Sequence, residues 1–298
     1  MTGAWIKQST KSEKCKESGV HRLSRIAYIA ANTMNELQKQ MDTISHNIAN
    51  AQTAGYKKQK TSFNDLLYQQ YHNQPRTETA AGRLTSPGVR IGSGAYVSQI
   101  QTVFTQGPLK QTGRPLDFAL TRPKQFFKIF NPERNEIQYT RNGAFYFTPA
   151  GENEVALVTS EGYPVLDENN NPVVVERGYN QLTVRDNGTV FFFDGDGNEQ
   201  VFNFGIVYIN NPQAMERAGE NIFRIPDETA GDAGLILTDL TGGDRAEIGL
   251  QNGALEQSNV DIGEELTDLI QTQRAYQFQA RAISIADQMQ GLINGIRR

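Results

Sequence analysis

The sequence predicts a mainly β middle domain between long N- and C-terminal α-helices that pair as an antiparallel coiled coil. Three observations carry this. Both ends space their apolar residues alternately by four and three, and the interval between them sets short Val, Ile, Phe and Tyr runs against turn signals. Each helical stripe is also too narrow to stand without a partner, and the simplest partner for each helix is the other.

Length and composition bound the reading. The 298 residues allow one to three domains. With 29 Lys and Arg against 33 Asp and Glu, the net charge of −4 disfavours a basic nucleic-acid binder. Aromatics at 9% and a mean hydropathy of −0.53 describe a polar chain that still has material for a core. No apolar run approaches the roughly 20 residues of a membrane helix. Cys15 alone can form neither an intrachain disulfide nor a Cys-based zinc cluster, and only His21, His46 and His72 could offer imidazole. No metal and no cofactor is expected.

Residues 1–24 read as a flexible leader, with Trp5, Cys15 and scattered lysines but no sustained period and no apolar stretch of the kind a secretory signal requires. Residues 25–68 read as an N-terminal helical segment. Leu23, Ala27, Ala30, Met34, Leu37, Met41, Ile44, Ile48 and Ala51 follow a heptad seam, and the helix is expected to stop near Gly55, which suits a left-handed position. Lys57, Lys58 and Lys60 read as a solvated helix end. Residues 69–89 read as a polar linker.

Residues 90–254 read as an all-β domain. Arg141-Asn142-Gly143 and Asp186-Asn187-Gly188 precede Phe145-Tyr146-Phe147 and Thr189-Val190-Phe191 as turn signals, and further breaks stand at Asn169–Pro172, Asn210–Pro212 and Thr241–Asp244. Residues 255–298 read as the C-terminal helical segment, capped by Ser258 or Asn259, with Asp261, Glu264 and Glu265 early and Arg297 and Arg298 late to match the helix dipole. Its seam runs through Ile262, Leu266, Leu269, Gln273, Tyr276, Ala280 and Ile283, then resumes after a three-residue slip at Ala286, Met289, Ile293 and Ile296.

No catalytic constellation stands out. The histidines have no Ser-Asp or Cys partner in view, and no pair among the acids is distinguished. Gly92-Ser93-Gly94 lacks the third glycine and the helix of a dinucleotide loop. Asp194-Gly195-Asp196-Gly197-Asn198-Glu199 begins like a calcium loop, but the sixth position is Glu199 where glycine is needed and the twelfth is Gly205 where glutamate is needed, so a hairpin turn is the better reading.

Ser45-His46-Asn47-Ile48-Ala49-Asn50-Ala51-Gln52-Thr53-Ala54-Gly55-Tyr56-Lys57 resembles the N-terminal signature of flagellar rod and hook proteins, chiefly at Asn47, Ile48, Ala49, Asn50, Thr53, Gly55, Tyr56 and Lys57. Leu255, Ser258, Asn259 and Val260, with Gln273, Arg274, Ala275 and Tyr276, resemble the C-terminal signature of the same family. Val103–Gly107, Gln111–Asp117, Tyr139–Gly143 and Glu161–Val165 are similar to it as well, so the resemblance runs from about residue 25 to the end. The stretch Phe63–Tyr68 with its following linker looks like the insert of the distal rod type. Thr121-Arg122-Pro123-Lys124-Gln125 departs from the acidic, glycine-rich turn usual in that family.

The resemblance implies a structural subunit of the flagellar hook-basal body rod, stacked helically beneath the hook and located in the basal body outside the cytoplasmic membrane after export. It implies as partners the chain itself, other rod and hook proteins and the flagellar export apparatus. No nucleic acid, small-molecule substrate or direct membrane insertion is expected, and no enzymatic activity. The assembly contacts are expected at Met34, Leu37, Met41, Ile44, Ile48, Leu266, Leu269, Tyr276 and Ile283, because an exposed heptad seam gains burial when a neighbouring subunit supplies the facing helix. A hook or proximal rod subunit is the alternative within the family. A secreted adhesin or glycan-binding domain, using Tyr139, Phe145, Tyr146 and Phe147 as an aromatic surface, is the alternative outside it.

Overall fold

A computed structural model describes residues 27–65, 69–71, 89–91, 95–176, 178–185, 187–194, 199–226 and 233–295. The leader with Cys15 and His21, the seam residues Leu23 and Ile296, residues 72–88 with His72, Gly92-Ser93-Gly94, the acidic loop 195–198, and Arg297 and Arg298 lie outside the described residues. The chain divides into two compact units, one of residues 1–45, 60–101 and 263–298, the other of residues 46–59 and 102–262.

The first unit holds helix α1, residues 27–49, up to residue 45 and helix α3, Ile262–Gly295, from residue 263, and the two helices pack together. Strands β1 (Gln59–Asp65), β2 (Gln69–Tyr71), β3 (Val89–Ile91) and β4 (Ala95–Thr102) form two short ribbons, β1 with β4 and β2 antiparallel to β3. The span read as linker thus carries strands at both ends, and residues 59–65, past the expected end of the helix, are a strand. The α1 helix stops six residues before Gly55, because residues 50–55 turn instead of continuing its ladder. Within this unit the Glu36 carboxylate accepts the Val97 N–H at 2.8 Å and pairs with Lys39 at 2.8 Å; these contacts, led by the hydrogen bond from Lys39, hold Glu36 below the usual carboxylate range.

The second unit is built on strands β5 (Leu109–Gln111), β6 (Phe118–Leu120), β7 (Gln125–Asn131), β8 (Glu136–Thr140), β9 (Tyr146–Pro149), β10 (Glu154–Val158), β11 (Val174–Glu176), β12 (Tyr179–Val184), β13 (Thr189–Asp194) and β14 (Glu199–Asn203). There follow β15 (Ile206–Ile209), β16 (Glu216–Arg217), β17 (Ile222–Arg224), the single turn α2 (Ala233–Ile236), β18 (Leu237–Asp239), β19 (Leu250–Asn252) and β20 (Ala254–Glu256). The largest sheet has the order β16-β17-β8-β7-β15-β18, flanked by the three-stranded sheets β11-β10-β9 and β12-β13-β14 and by the pairs β19-β6 and β20-β5.

Strand β7 is buried on both faces, so its alternation splits the core in two. Phe127 and Ile129 join Phe118, Phe145, Leu157, Val165 and Phe204 on one face. Phe126 joins Tyr139, Val207, Ile209 and Phe223 on the other. The polar residues of β7 are buried but satisfied: Lys128 pairs with Asp239 at 2.7 Å, while Gln125 donates to Glu247 O and accepts the Gly249 N–H.

The turn signals divide. Gly188, at φ +80°, closes the β12–β13 hairpin, and β13 pairs with β14 around the acidic loop. Arg141-Asn142-Gly143 closes no hairpin; it carries the chain from β8 into β9 of a different sheet. Gly143 is required there because a Cβ would lie 1.8 Å from Phe118 O. At the departure noted above, Lys124 itself adopts φ +62°, so the turn is made without glycine.

Candidate functional site

Two regions draw together residues singled out from sequence: a buried charged junction in the second unit and the helix faces of the first.

The junction starts where α1 ends. Asn50 and Thr53 close the turn, the Asn50 amide donating to His46 O and the Thr53 hydroxyl to Asn50 Oδ1. Asn47 is buried and clamps the chain that returns past it: Oδ1 accepts the Tyr56 hydroxyl at 3.2 Å and the Gln59 N–H at 2.9 Å, and Nδ2 donates to Gln59 O at 2.8 Å. Gly55 sits at φ +71°, donates its N–H to Glu256 O, and leaves so little room that a Cβ would lie 2.5 Å from Asn142 N. The Arg217 guanidinium lies 4.4 Å from the centre of the Tyr56 ring, a cation–π contact over a buried aromatic.

Lys57 therefore points inward. It is 2% exposed, against the expectation of a solvated helix end, because Glu256 waits inside. Its Nζ donates to Glu256 Oε1 at 2.7 Å and to Thr105 O at 2.8 Å. Glu256 Oε1 also accepts the Gly107 N–H at 2.8 Å, and Oε2 accepts the Arg141 Nε–H. The remaining Arg141 nitrogens donate to the carbonyls of Gln125, Leu120 and Arg122. Two cations thus surround one carboxylate, and their excess charge is spread over main-chain carbonyls. Burial pushes the Lys57 and Arg141 pKa values down from their ordinary ranges, with Glu256 opposing the fall in both. Every nitrogen of Arg141 has an acceptor, so the cluster is a clamp.

Asn259 completes it. Its Oδ1 accepts the Lys58 N–H at 2.7 Å, while Nδ2 donates to Val103 O and Thr105 Oγ1. Ser258 Oγ accepts the Val260 N–H, and α3 begins at Ile262, so neither Ser258 nor Asn259 caps that helix as the sequence suggested. Each is committed to the loop that leads into it. Leu255 and Val260 are half-buried beside them.

The helix faces of the first unit are different. On α1 Ile44 is buried, and Met34, Leu37, Met41 and Ile48 are half-buried; Ala49 is exposed. On α3 Leu269, Tyr276 and Ile283 are half-buried, but Leu266, Gln273, Arg274 and Ala275 are exposed. The inward stripe of α3 is Glu265, Leu269, Thr272, Tyr276, Gln279, Ile283 and Ala286, a continuous four-three spacing with no phase slip. Choosing the most apolar neighbour at each step produced the slip; the helix buries Glu265 and Thr272 instead, and Thr272 Oγ1 is satisfied by Asp268 O. The stronger apolar residues form a second stripe that faces outward: Leu266, Ile270, Phe278, Ile285, Met289 and Leu292, with Phe278 70% exposed.

Sequence reasoning missed Arg141 and Glu256 as partners of Lys57. The signal was a Lys, an Arg and a Glu each standing inside a segment of otherwise small and polar character. Of the four aromatics weighed as a binding surface, Tyr139 and Phe145 are core, while Tyr146 and Phe147 are partly exposed and Arg114 covers the Tyr146 ring at 4.3 Å.

Comparison with known proteins bears on all of these segments. Residues 28–57 match the family described as flagella basal body rod protein, residues 123–192 the flagellar hook protein FlgE/F/G D1 domain, and residues 251–296 the flagellar basal body rod FlgEFG protein C-terminal region. The flagellar hook-basal body complex protein FlhP of Bacillus subtilis is 45% identical over 272 residues, covering 90% of this chain and 97% of the relative. The flagellar basal-body rod protein FlgG of Borreliella burgdorferi is 34% identical over 93% of this chain and 100% of its own length. FlgG of Bacillus subtilis is 30% identical, with 91% and 98% covered.

Proposed function

The chain belongs to the flagellar hook-basal body rod protein family, and from that premise we propose that it is a structural subunit of the distal rod, self-assembling helically into the shaft beneath the hook. It is a rod subunit of the flagellar basal body, in a structural family, and it assembles with other rod and hook proteins.

The observation that carries the assembly reading is the outward apolar stripe of α3. The α1–α3 seam takes up one face of each helix, and Ile270, Phe278, Ile285 and Leu292 are left exposed. Neighbouring copies stacked head to tail would cover them, and a head-to-tail contact that does not close generates a filament. In this reading Met34, Leu37, Met41, Ile44, Ile48, Leu269, Tyr276 and Ile283 hold the two helices to each other, and Leu266 belongs with the subunit contacts. The antiparallel sense of the pair is supported by the junction: the chain leaves α1 and enters α3 at points joined by Lys58 and Asn259, so helices that pack from there run in opposite directions.

Addition of purified protein to isolated rods, followed by electron microscopy, tests the proposal. The wild-type chain is expected to lengthen rods. Phe278→Asp with Ile285→Asp is expected to stop this while the thermal transition of the β unit stays in place. Rods that grow equally with that variant would overturn the stripe as the contact, and a wild-type chain that never adds to rods would overturn the function.

A further inference from the structure

The junction joins parts of the chain that are remote in sequence, and its partners are not equivalent. Arg141 is held mainly by the β core: its Nη1 and Nη2 donate to the carbonyls of Gln125, Leu120 and Arg122, which leaves Nε for Glu256. Glu256 is the next layer. It reaches Arg141 across 115 positions, and β20, which carries it, pairs with β5 of the same unit. Lys57 is the outermost layer. It reaches Glu256 across 199 positions, and its other contact at Nζ is a single carbonyl, Thr105 O.

From this asymmetry we infer that the junction is a hierarchical latch: the core presents Arg141 as a socket, residues 254–259 dock first through Glu256, and residues 47–59 dock last through Lys57. The carboxylate is the pivot. Without it the Lys57 ammonium would sit buried beside the Arg141 cation, so the N-terminal segment cannot close until the C-terminal one is in place. Two neutral contacts follow the same order: Gly55 N–H and Lys58 N–H donate to the Glu256 carbonyl and the Asn259 amide oxygen, while Lys58 O accepts the Val103 N–H and Ala54 O the Asn221 amide from the β unit. The device makes the exit of α1 conditional on the entry of α3, two events separated by the whole β unit. It does not depend on the rod reading, because it concerns the isolated chain.

Amide hydrogen exchange on the full chain, read segment by segment with two variants, tests the order. Lys57→Met removes the outer layer without burying a new charge. Exchange over residues 55–59 is expected to accelerate by roughly a hundredfold, while 254–256 and the β7–β8 strands keep wild-type protection. Glu256→Gln removes the pivot. Both 55–59 and 254–257 are then expected to open, although nothing in 55–59 was changed, and β7–β8 again stays protected. Equal opening of both segments in Lys57→Met, wild-type protection of 55–59 in Glu256→Gln, or loss of protection across β7–β8 in either variant would each overturn the hierarchy.

Discussion

The two units bury different things. The β unit closes two aromatic cores and a charged junction: Phe118, Phe127 and Phe145 are fully buried, and so are Lys57, Arg141 and Glu256. The helical unit closes little. Among the described side chains of α3 those buried are Glu265, Thr272 and Ala286, while Phe278 and Leu292 stand in solvent. Apolar content does not separate the regions, since α3 is well supplied with Leu, Ile and Phe. What separates them is whether the described residues include a second layer that covers those side chains. A sheet covered on both faces closes upon itself, whereas among the described residues α3 has cover for one of its two apolar stripes.

The same substitution in the two regions makes the contrast sharp. Phe127→Ala removes a ring packed edge-on against Phe145 and Phe204, and urea denaturation should report a loss of about 3–5 kcal/mol. A loss below about 1 kcal/mol would mean that the β core is as loosely covered as α3.

Alkali should also act on the β unit first. Burial, aided by Asp239, pushes the Tyr139 hydroxyl up to about 12 from its ordinary value near 10. The folded state then holds the proton over a range where the unfolded chain has released it. The stabilisation is therefore complete below pH 10 and is lost as pH rises from about 10 to 12, by about 2–3 kcal/mol in all. Denaturation midpoints measured across that range should fall for the wild-type chain and fall less for Tyr139→Phe. Equal slopes would show that Tyr139 is not the group responsible.

The smallest expected effect is on the helix. Phe278→Ala should change the stability of the isolated chain by no more than about 0.5 kcal/mol, because its ring has little protein around it to lose. A larger change would show that α3 is covered within the monomer and would remove the reason for assigning its outer face to a neighbour.

Much of this architecture is legible in sequence because it rests on periodicity. The four-three spacing from Ala27 to Ile48 marks α1, and the short Phe- and Val-rich runs with Gly188 mark the strands and one hairpin. The exceptions share a cause. Lys57 looks solvated and is buried, Arg141-Asn142-Gly143 looks like a hairpin turn and is a crossing between sheets, and the α3 seam looks interrupted and is continuous. Each depends on strands or side chains well separated in the chain or on the opposite helix, and local patterning carries no information about either.

The sequence by itself determined the helical ends, the β middle and, through its signature segments, the family. These follow from local propensity, from the spacing of apolar residues and from strings of specific residue types, which any reading of the chain in order can find. Only the tertiary structure decided that Lys57, Arg141, Glu256 and Asn259 form one junction and which stripe of α3 faces inward. A buried cation is tolerable only where the fold brings it a carboxylate, and an apolar stripe is core only where the fold brings it a cover.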